Sequence, residues 1–278
     1  MRKGNGMSLR PSKGNATAGT FRAAILLVVG VLVGASAALA SALAQNADPA
    51  PNTDAVPKRV LIYSDSNAWG WVPTESGFPT VRLSDDERFG GVLERELGDG
   101  YEVVVDGLNN RTTDLDDFQD WGNVPARAFN GAAELPEAIA RELPLDLVVV
   151  MLGTNDAKAQ FERSADEIAE AAVGLGKVVA NSTGVATEYA APKVLVVAPP
   201  PIGTMNHEGI AQFYAGGDAK SATFKDAFEA AGKAAGVPVF SADDAMGTSD
   251  GFDGVHFSTE DHRQLGAALA PVVRELIE

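Results

Sequence analysis

The chain is 278 residues long, 45% of them hydrophobic, and it carries a formal net charge of −16. This length and apolar content suffice for one large globular domain with a buried core. The negative charge disfavours nucleic acid and anionic membranes as partners, and the absence of cysteine excludes disulfides and thiol catalysis.

The first 44 residues have the pattern of an export signal. Five basic residues and no acidic residue lie in residues 1–22, and residues 23–44 are uncharged and rich in Ala, Val and Leu. Signal peptidase requires small residues immediately before the bond that it cleaves. We therefore expect cleavage after Ala44, with Ala40 as the second choice. About 20 apolar residues can also span a bilayer, which leaves an uncleaved N-terminal membrane anchor as the alternative. Both interpretations place the domain outside the cytoplasm: the cleaved form is predicted to be secreted or periplasmic, and the uncleaved form meets the membrane only through this segment.

Residues 45–57 are polar and rich in Pro and Ala, which predicts a flexible linker before a folded domain at residues 58–278. In that domain, apolar strand-like runs alternate with helical patterns. The predicted strands are residues 60–64, 101–107, 145–153, 193–201 and 237–240, and the predicted helices are residues 88–97, 134–142, 164–180, 220–235 and 259–277. Strands that are apolar at successive positions are typical of a parallel sheet covered on both faces. The sequence therefore predicts an α/β domain with three layers, α/β/α, and a flavodoxin-like five-stranded parallel sheet.

A long segment with little periodicity, residues 108–133, follows the second predicted strand. Loops of this length in compact domains are often functional. Its Trp121 and Phe129 fit equally well as the lining of a site and as anchors of the loop. No Gly-rich phosphate loop follows the first strand, so nucleotide binding is not expected.

Polar clusters follow the predicted strands at the edge where ligands bind in this architecture. They are Ser64-Asp65-Ser66-Asn67, Gly107-Leu108-Asn109, Gly153-Thr154-Asn155-Asp156 and, before the last helix, Asp253-Gly254-Val255-His256. Each cluster alone is typical of a turn or a helix cap. Their order and common placement indicate one shared site.

A serine hydroxyl becomes a nucleophile when a base takes its proton, and that base is commonly a histidine oriented by a carboxylate. Of the three histidines, His207 lies in a segment bordered by Pro and Gly, and His262 is predicted on a solvated face of the last helix. His256 has Asp253 three residues before it. We therefore predict His256 as the base, Asp253 as its partner and Ser66 as the nucleophile.

Acyl transfer also needs hydrogen-bond donors for the oxyanion of its tetrahedral intermediate. The Ser66 N–H can lie at a helix start, and the Gly107 N–H can approach closely because glycine has no side chain. The Asn155 amide can supply a third hydrogen bond. These three residues form the predicted oxyanion hole.

Together the four clusters resemble the sequence blocks of the SGNH (GDSL-type) hydrolase family over about residues 59–277. The resemblance is strongest to its arylesterase and acyltransferase branch, because Trp69-Gly70-Trp71-Val72-Pro73 is similar to that branch. It implies the same catalytic residues, Ser66, Asp253 and His256, and the same oxyanion hole. Asp65 is expected to support the turn by local hydrogen bonds.

Two residues depart from the family pattern. Ser64 stands where the family has glycine, and Asn67 stands where it has leucine. Serine fits at position 64 if its φ is negative. The more polar turn leaves a disabled, hydrolase-like binding protein as one alternative function.

Four side chains are expected to contact the substrate: Asn67, Trp69, Trp71 and Thr154. A core-packing role remains open for either tryptophan. We expect no cofactor and no metal, since no second histidine has ligand spacing. The sequence thus predicts an exported serine esterase that hydrolyses small acetyl or aryl esters through an acyl-enzyme, with acyl transfer to alcohols as a further activity. A glycan O-acetyl esterase of the envelope is the other enzymatic alternative, and a homo-oligomer is compatible with the resemblance.

Overall fold

The computed structural model describes residues 56–182 and 187–278. The predicted signal peptide or anchor at residues 1–44 lies outside the described residues, and so does the predicted linker up to residue 55. In the two described ranges, no helix combines the length and the apolar character needed to cross a membrane.

Five strands form one sheet in which every neighbouring pair is parallel. They are β1 (Lys58–Ser64), β2 (Tyr101–Gly107), β3 (Leu147–Met151), β4 (Lys193–Ala198) and β5 (Val239–Ser241). Their order across the sheet is β2-β1-β3-β4-β5, the doubly wound arrangement of flavodoxin-like folds. The predicted fold class is confirmed.

Nine α-helices connect or follow these strands in the described residues. They are α1 (Ser66–Trp69), α2 (Phe89–Leu97), α3 (Gly131–Glu142), α4 (Ala165–Ala180), α5 (Glu208–Phe213), α6 (Gly217–Ser221), α7 (Phe224–Ala235), α8 (Ala242–Met246) and α9 (Thr259–Ile277). The two longest begin at capping boxes, Ser164 with Glu167 and Ser258 with Asp261, which satisfy the free amides of a first helical turn.

The core lies on both faces of the sheet because successive strand residues point to opposite sides. On one face, Val60 and Ile62 pack with α2 and α9. On the other face, Leu61 and Tyr63 pack with α3 and α4. The central strand β3 is buried at all of its residues, as the continuous apolar pattern predicts for a three-layer domain, whereas the edge strand β2 is half-buried.

The strand register aligns the chain segments that carry the polar clusters. Ser64, the last residue of β1, pairs with Gly107 at the end of β2 and with Met151 at the end of β3. The segments that follow these three residues therefore leave the sheet at the same level and at the same edge.

Candidate active site

The turn after β1 presents Ser66 at the start of α1. Asp65 caps this helix, since its Oδ1 accepts a hydrogen bond of 2.9 Å from the Asn67 N–H, as expected for local support of the turn. Gly70 ends the helix with φ of 93°, a conformation that glycine adopts without strain. The first strand ends at Ser64, and Ser66 lies two residues later at the start of a helix of four residues.

Ser64 fits this turn without backbone strain. Within the described residues, the non-glycine residues with positive φ are Asn110 and Glu162, so Ser64 has the negative φ that serine requires. Its Oγ donates a hydrogen bond of 2.6 Å to the Met151 carbonyl. The hydroxyl group is therefore used to tie β1 to β3.

Ser66, His256 and Asp253 form one hydrogen-bonded chain, although Ser66 and His256 are 190 residues apart in sequence. Ser66 Oγ lies 3.0 Å from His256 Nε2, and His256 Nδ1 lies 2.7 Å from Asp253 Oδ2. The other oxygen, Asp253 Oδ1, accepts the N–H groups of Val255 and His256. These are the contacts of a nucleophile, a base and its orienting carboxylate.

The protonation state of Asp253 follows from its surroundings. Burial opposes ionisation of this carboxyl, but the hydrogen bond from the His256 ring and the two backbone N–H groups hold its pKa below the usual value. An ionised Asp253 accepts from Nδ1–H and leaves Nε2 of His256 free to accept the Ser66 proton.

Asn67 connects the nucleophile turn to the segment that carries His256. Its Nδ2 donates to the Val255 carbonyl at 3.3 Å, and its Oδ1 accepts from the Phe257 N–H at 3.0 Å. The two contacts lie on either side of His256 in the chain, and Asn67 is 1% exposed. The residue that departs from the family's leucine thus holds the histidine segment from both sides.

Asp65 is buried beside the nucleophile and does not belong to the hydrogen-bonded chain of Ser66. Burial raises the pKa of this carboxyl to about 6, although the hydrogen bond from the Asn67 N–H opposes the rise. Its second oxygen lies 3.5 Å from Asn155 Nδ2, a weak contact. Asp65 therefore supports the turn.

A cavity of about 350 Å³ opens next to Ser66 and His256. Its lining is mainly aromatic and aliphatic, with six residues from the segment between β2 and α3. The lining residues are Ser66, Trp71, Phe78, Leu108, Asn109, Asn110, Trp121, Val124, Phe129, Asn155, Lys158, Ile210, Phe213, Tyr214 and His256. The long segment at residues 108–133 is thus part of the site, and both Trp121 and Phe129 line it.

Of the four side chains expected to contact substrate, the structure places Trp71 in the cavity lining. Its ring stacks on the His256 ring with centroids 5.0 Å apart and an angle of 18°. The other three, Asn67, Trp69 and Thr154, lie outside that lining. Trp69 instead packs beneath the guanidinium group of Arg82, 5.3 Å from its ring centroid.

Gly107 is also outside the lining, and its N–H faces away from Ser66. The next amide, Leu108 N–H, donates to the Ser64 carbonyl of β1. Since successive amides along a strand face opposite sides, the Gly107 N–H faces the outer side of β2, the edge strand. Glycine is needed here for another reason: a Cβ would lie 2.4 Å from the Trp69 backbone nitrogen.

Asn110, three residues later, lies in the cavity lining with φ of 67°. Asparagine tolerates this left-handed conformation better than most residues. Within the described residues, neither the Asn110 N–H nor the Ser66 N–H has an acceptor. Asn110 is not among the site residues predicted from the sequence, although an Asn-Asn pair two residues after the end of a strand is a detectable signal.

Asn155 reaches the cavity as predicted and is held by two partners. Tyr214 donates to its Oδ1 at 3.1 Å, and its Nδ2 donates to the Arg111 carbonyl at 3.1 Å. Within the described ranges, its second Nδ2 hydrogen has only the weak contact with Asp65. One strong donor direction of Asn155 therefore remains open.

The placement of His262 on a solvated face is wrong. His262 is fully buried, its ring packs on Phe89 and Phe257, and its Nδ1 accepts the Phe89 N–H at 3.2 Å. Burial, together with the nearby Arg88 guanidinium group, lowers its pKa to about 4. His207 caps α5 through its Nδ1, so neither residue competes with His256 as the base.

In the described part of the chain, no three His, Cys, Asp or Glu side chains are arranged to hold a metal ion. The fold and this geometry define an α/β/α hydrolase with a Ser-His-Asp site at the carboxyl ends of its strands.

Comparisons with known proteins identify the family within this class of hydrolases. The model of the GDSL-like lipase/acylhydrolase family matches residues 65–264. The structure of an aryl esterase from M. smegmatis is 44% identical, with a TM-score of 0.74, over 79% of this chain and 99% of that chain. Est24, a carbohydrate acetylesterase from Sinorhizobium meliloti, is 41% identical with the same coverage and TM-score. A comparison with curated proteins gave no match.

A second Sinorhizobium meliloti structure, of a carbohydrate acetylesterase family member, is 32% identical with a TM-score of 0.70, over 79% of this chain and 99% of that chain. The chain belongs to the GDSL-like lipase/acylhydrolase family. It is a carboxylic ester hydrolase, and the resemblance to SGNH hydrolases is confirmed.

Proposed function

We propose that the protein is a serine esterase that cleaves small acetyl or aryl esters through an acyl-enzyme on Ser66. The observation that carries this proposal is the hydrogen-bonded chain from Ser66 through His256 to Asp253 at the mouth of an aromatic cavity. A cavity of about 350 Å³ favours small substrates. These contacts also argue against a disabled, hydrolase-like binding protein.

The mechanism follows from these contacts. Ser66 Oγ attacks the ester carbonyl carbon while its proton moves to His256 Nε2, and Asp253 stabilises the resulting imidazolium. His256 then gives the proton to the leaving alcohol oxygen, which yields the acyl-enzyme. Water, deprotonated by His256, releases the acid and restores the Ser66 hydroxyl.

For the oxyanion we propose three donors: the N–H groups of Ser66 and Asn110 and Nδ2 of Asn155. Asn110 replaces Gly107 in this set because the Gly107 N–H faces the outer side of β2. The N–H groups of Ser66 and Asn110 have no acceptor within the described residues, so they are available to the developing charge.

The test is pre-steady-state hydrolysis of 4-nitrophenyl acetate by the purified domain. We expect a burst of 4-nitrophenol equal to the enzyme concentration, and loss of the burst in Ser66→Ala. The exposed Ser84 provides a matched control, and Ser84→Ala should keep the burst. A folded Ser66→Ala variant with the wild-type rate would refute the proposal.

Two finer activities use the same residues. The aromatic lining supports acyl transfer, since an alcohol held there competes with water for the acyl-enzyme. The ratio of transfer product to hydrolysis product in aqueous butanol measures this competition.

The similarity to Est24 supports removal of O-acetyl groups from carbohydrates as a second candidate activity. Acetate release from acetylated polysaccharide, compared with 4-nitrophenyl acetate, separates the two.

We also propose that the domain is exported, on the basis of the basic and apolar pattern of residues 1–44. N-terminal sequencing of the protein purified from the producing cell tests this. A mature chain that begins at Gln45 supports cleavage after Ala44, and an intact, membrane-associated chain supports the anchor.

A further inference from the structure

Lys158 is the one lysine or arginine among the residues that line the cavity. It follows the short 3₁₀ turn Asn155–Ala157 and is 3% exposed. The proposed ester cleavage makes no use of its amine. A buried ammonium group is costly unless hydrogen bonds or opposite charges compensate it, so its partners are informative.

The Lys158 ammonium group is incompletely partnered. It has three donors, and within the described residues its single acceptor is Asn110 Oδ1 at 2.9 Å. No carboxylate of the described residues forms an ion pair with it. Two of its N–H donors are therefore available to a molecule in the cavity.

The carboxylates that act on Lys158 from farther away are already engaged. Asp117 accepts from the Trp121 indole and the Phe118 N–H, Asp156 accepts from Thr113, and Asp65 accepts from the Asn67 N–H. Burial lowers the pKa of Lys158 to about 8, although Asp117, Asp65 and Asp156 oppose that fall. The amine is therefore mainly charged at neutral pH.

Asn109 adds a second open group to the same lining. Its Oδ1 is buried without a hydrogen-bond partner, and within the described residues its Nδ2 has none either. Asn109, Asn110 and Lys158 together form what we call the polar part of the cavity. Acceptor oxygens of a ligand would pair with the remaining N–H donors of Lys158 and with Asn109 Nδ2, whereas Asn109 Oδ1 needs a donor.

We propose that the polar part binds a carboxylate of the substrate, so that the enzyme prefers esters that carry a second, free carboxylate group. This inference rests on the proposed esterase function. A carboxylate suits the site because its oxygens accept several hydrogen bonds and its charge compensates the buried ammonium group. The ester of such a molecule lies within the same cavity as Ser66.

The experiment uses two matched pairs of esters that differ by one methyl group on the carboxylate. 4-Nitrophenyl hemiglutarate is paired with 4-nitrophenyl methyl glutarate, and 4-acetoxybenzoate is paired with methyl 4-acetoxybenzoate. The first pair carries the charge on the acyl side, and the second carries it on the leaving group. The measured quantity is the ratio of kcat/KM for the charged ester to that for its methyl ester.

For the wild-type protein at pH 7 we expect a ratio of about ten or more in one of the two pairs. Lys158→Met should lower that ratio at least tenfold, Lys158→Arg should keep most of it, and Lys233→Met, at an exposed lysine, should leave it unchanged. The ratio cancels any general loss of activity from the lost hydrogen bond to Asn110.

The pH dependence of this ratio distinguishes recognition of charge by Lys158 from a purely structural role of the same residue. Because kcat/KM reports the free enzyme, the ratio should fall as pH rises through about 8 and the amine loses its charge. Any pH dependence common to both members of a pair cancels in the ratio. Asp65 changes charge near pH 6, so the series starts at pH 7.

Two outcomes would overturn the inference. One is a wild-type ratio at or below one in both pairs. The other is an equal loss on both esters in Lys158→Met, which would make Lys158 a support for the Asn110 side chain. Either result is distinct from failure of the esterase proposal, which would show as no Ser66-dependent hydrolysis of the neutral methyl esters.

Discussion

The residues around Ser66 and His256 differ from the polar part of the same cavity in how fully their polar atoms are bonded. Behind the catalytic residues, the Asp253 carboxylate has three partners, and the amide of Asn67 uses both its oxygen and its nitrogen. In the polar part, counting partners within residues 56–182 and 187–278, Lys158 uses one of three donors and neither amide atom of Asn109 has a partner. Groups that move a proton are held in one geometry, whereas groups that recognise a substrate keep free donors.

The largest expected effect on activity comes from changing the carboxylate of Asp253, whose partners hold the catalytic residues in place. Asp253→Asn should lower kcat about 10⁴-fold, because an amide can present N–H to the ring and favour the wrong histidine tautomer. Steady-state hydrolysis of 4-nitrophenyl acetate measures it. Asp250→Asn, at an exposed neighbour, is the control and should keep the rate. A loss below tenfold in Asp253→Asn would mean that Asp253 does not orient the base.

A second prediction concerns His262, which packs on Phe257 next to the catalytic histidine. The folded protein keeps His262 neutral down to about pH 4, whereas the unfolded chain protonates it near pH 6.5. Its contribution to the free energy of unfolding is therefore full above pH 6.5 and falls by roughly 3 kcal/mol as pH drops to about 4.

Denaturant unfolding of the wild type and of His262→Gln, at several pH values between 4 and 7, measures this contribution. Glutamine keeps an acceptor for the Phe89 N–H and does not titrate. The stability difference between the two proteins should shrink towards low pH. A constant difference would contradict a buried, neutral His262.

The smallest expected effect is that of Asn67, which positions His256 without contacting the cavity. Asn67→Leu removes both hydrogen bonds to the histidine segment and should lower kcat about tenfold with KM nearly unchanged. Asn67→Asp keeps an acceptor for the Phe257 N–H and should recover part of the loss. Equal kcat in all three proteins would show that the histidine segment is held by other contacts.

The sequence predicts the fold, and it also singles out Ser66, His256 and Asp253, which the structure brings together, because both inferences depend on local signals. Apolar runs such as residues 147–151 and the turn chemistry around Ser66 and His256 are visible without any knowledge of long-range contacts. The parallel sheet then brings the segments that follow its strands to one edge, where Ser66 and His256 meet.

Side-chain and amide directions were harder to predict. The position of Gly107 at a strand end was recognised, but the side to which its N–H points depends on the register with β1, which the sequence does not contain. His262 was misplaced although it lies three residues before Leu265 and seven before Leu269, on the buried stripe of α9. A polar residue on an apolar stripe was the available signal.

The open donors of the polar part could not be predicted, because they depend on which carboxylates are already bonded elsewhere. Asp65, Asp117 and Asp156 stand close enough to influence Lys158, and each is engaged by other groups. Only the three-dimensional arrangement shows that Lys158 has a single acceptor among the residues that the structure describes.

The central claim, that Ser66 carries the acyl group, is tested most directly by rapid acid quenching of the enzyme with 4-nitrophenyl acetate and peptide mass spectrometry. Within one turnover, we predict one acetyl group per chain on the peptide that contains Ser66, and its disappearance as hydrolysis completes. An acetyl group that forms at the catalytic rate on another residue, or hydrolysis without any covalent intermediate, would contradict the account.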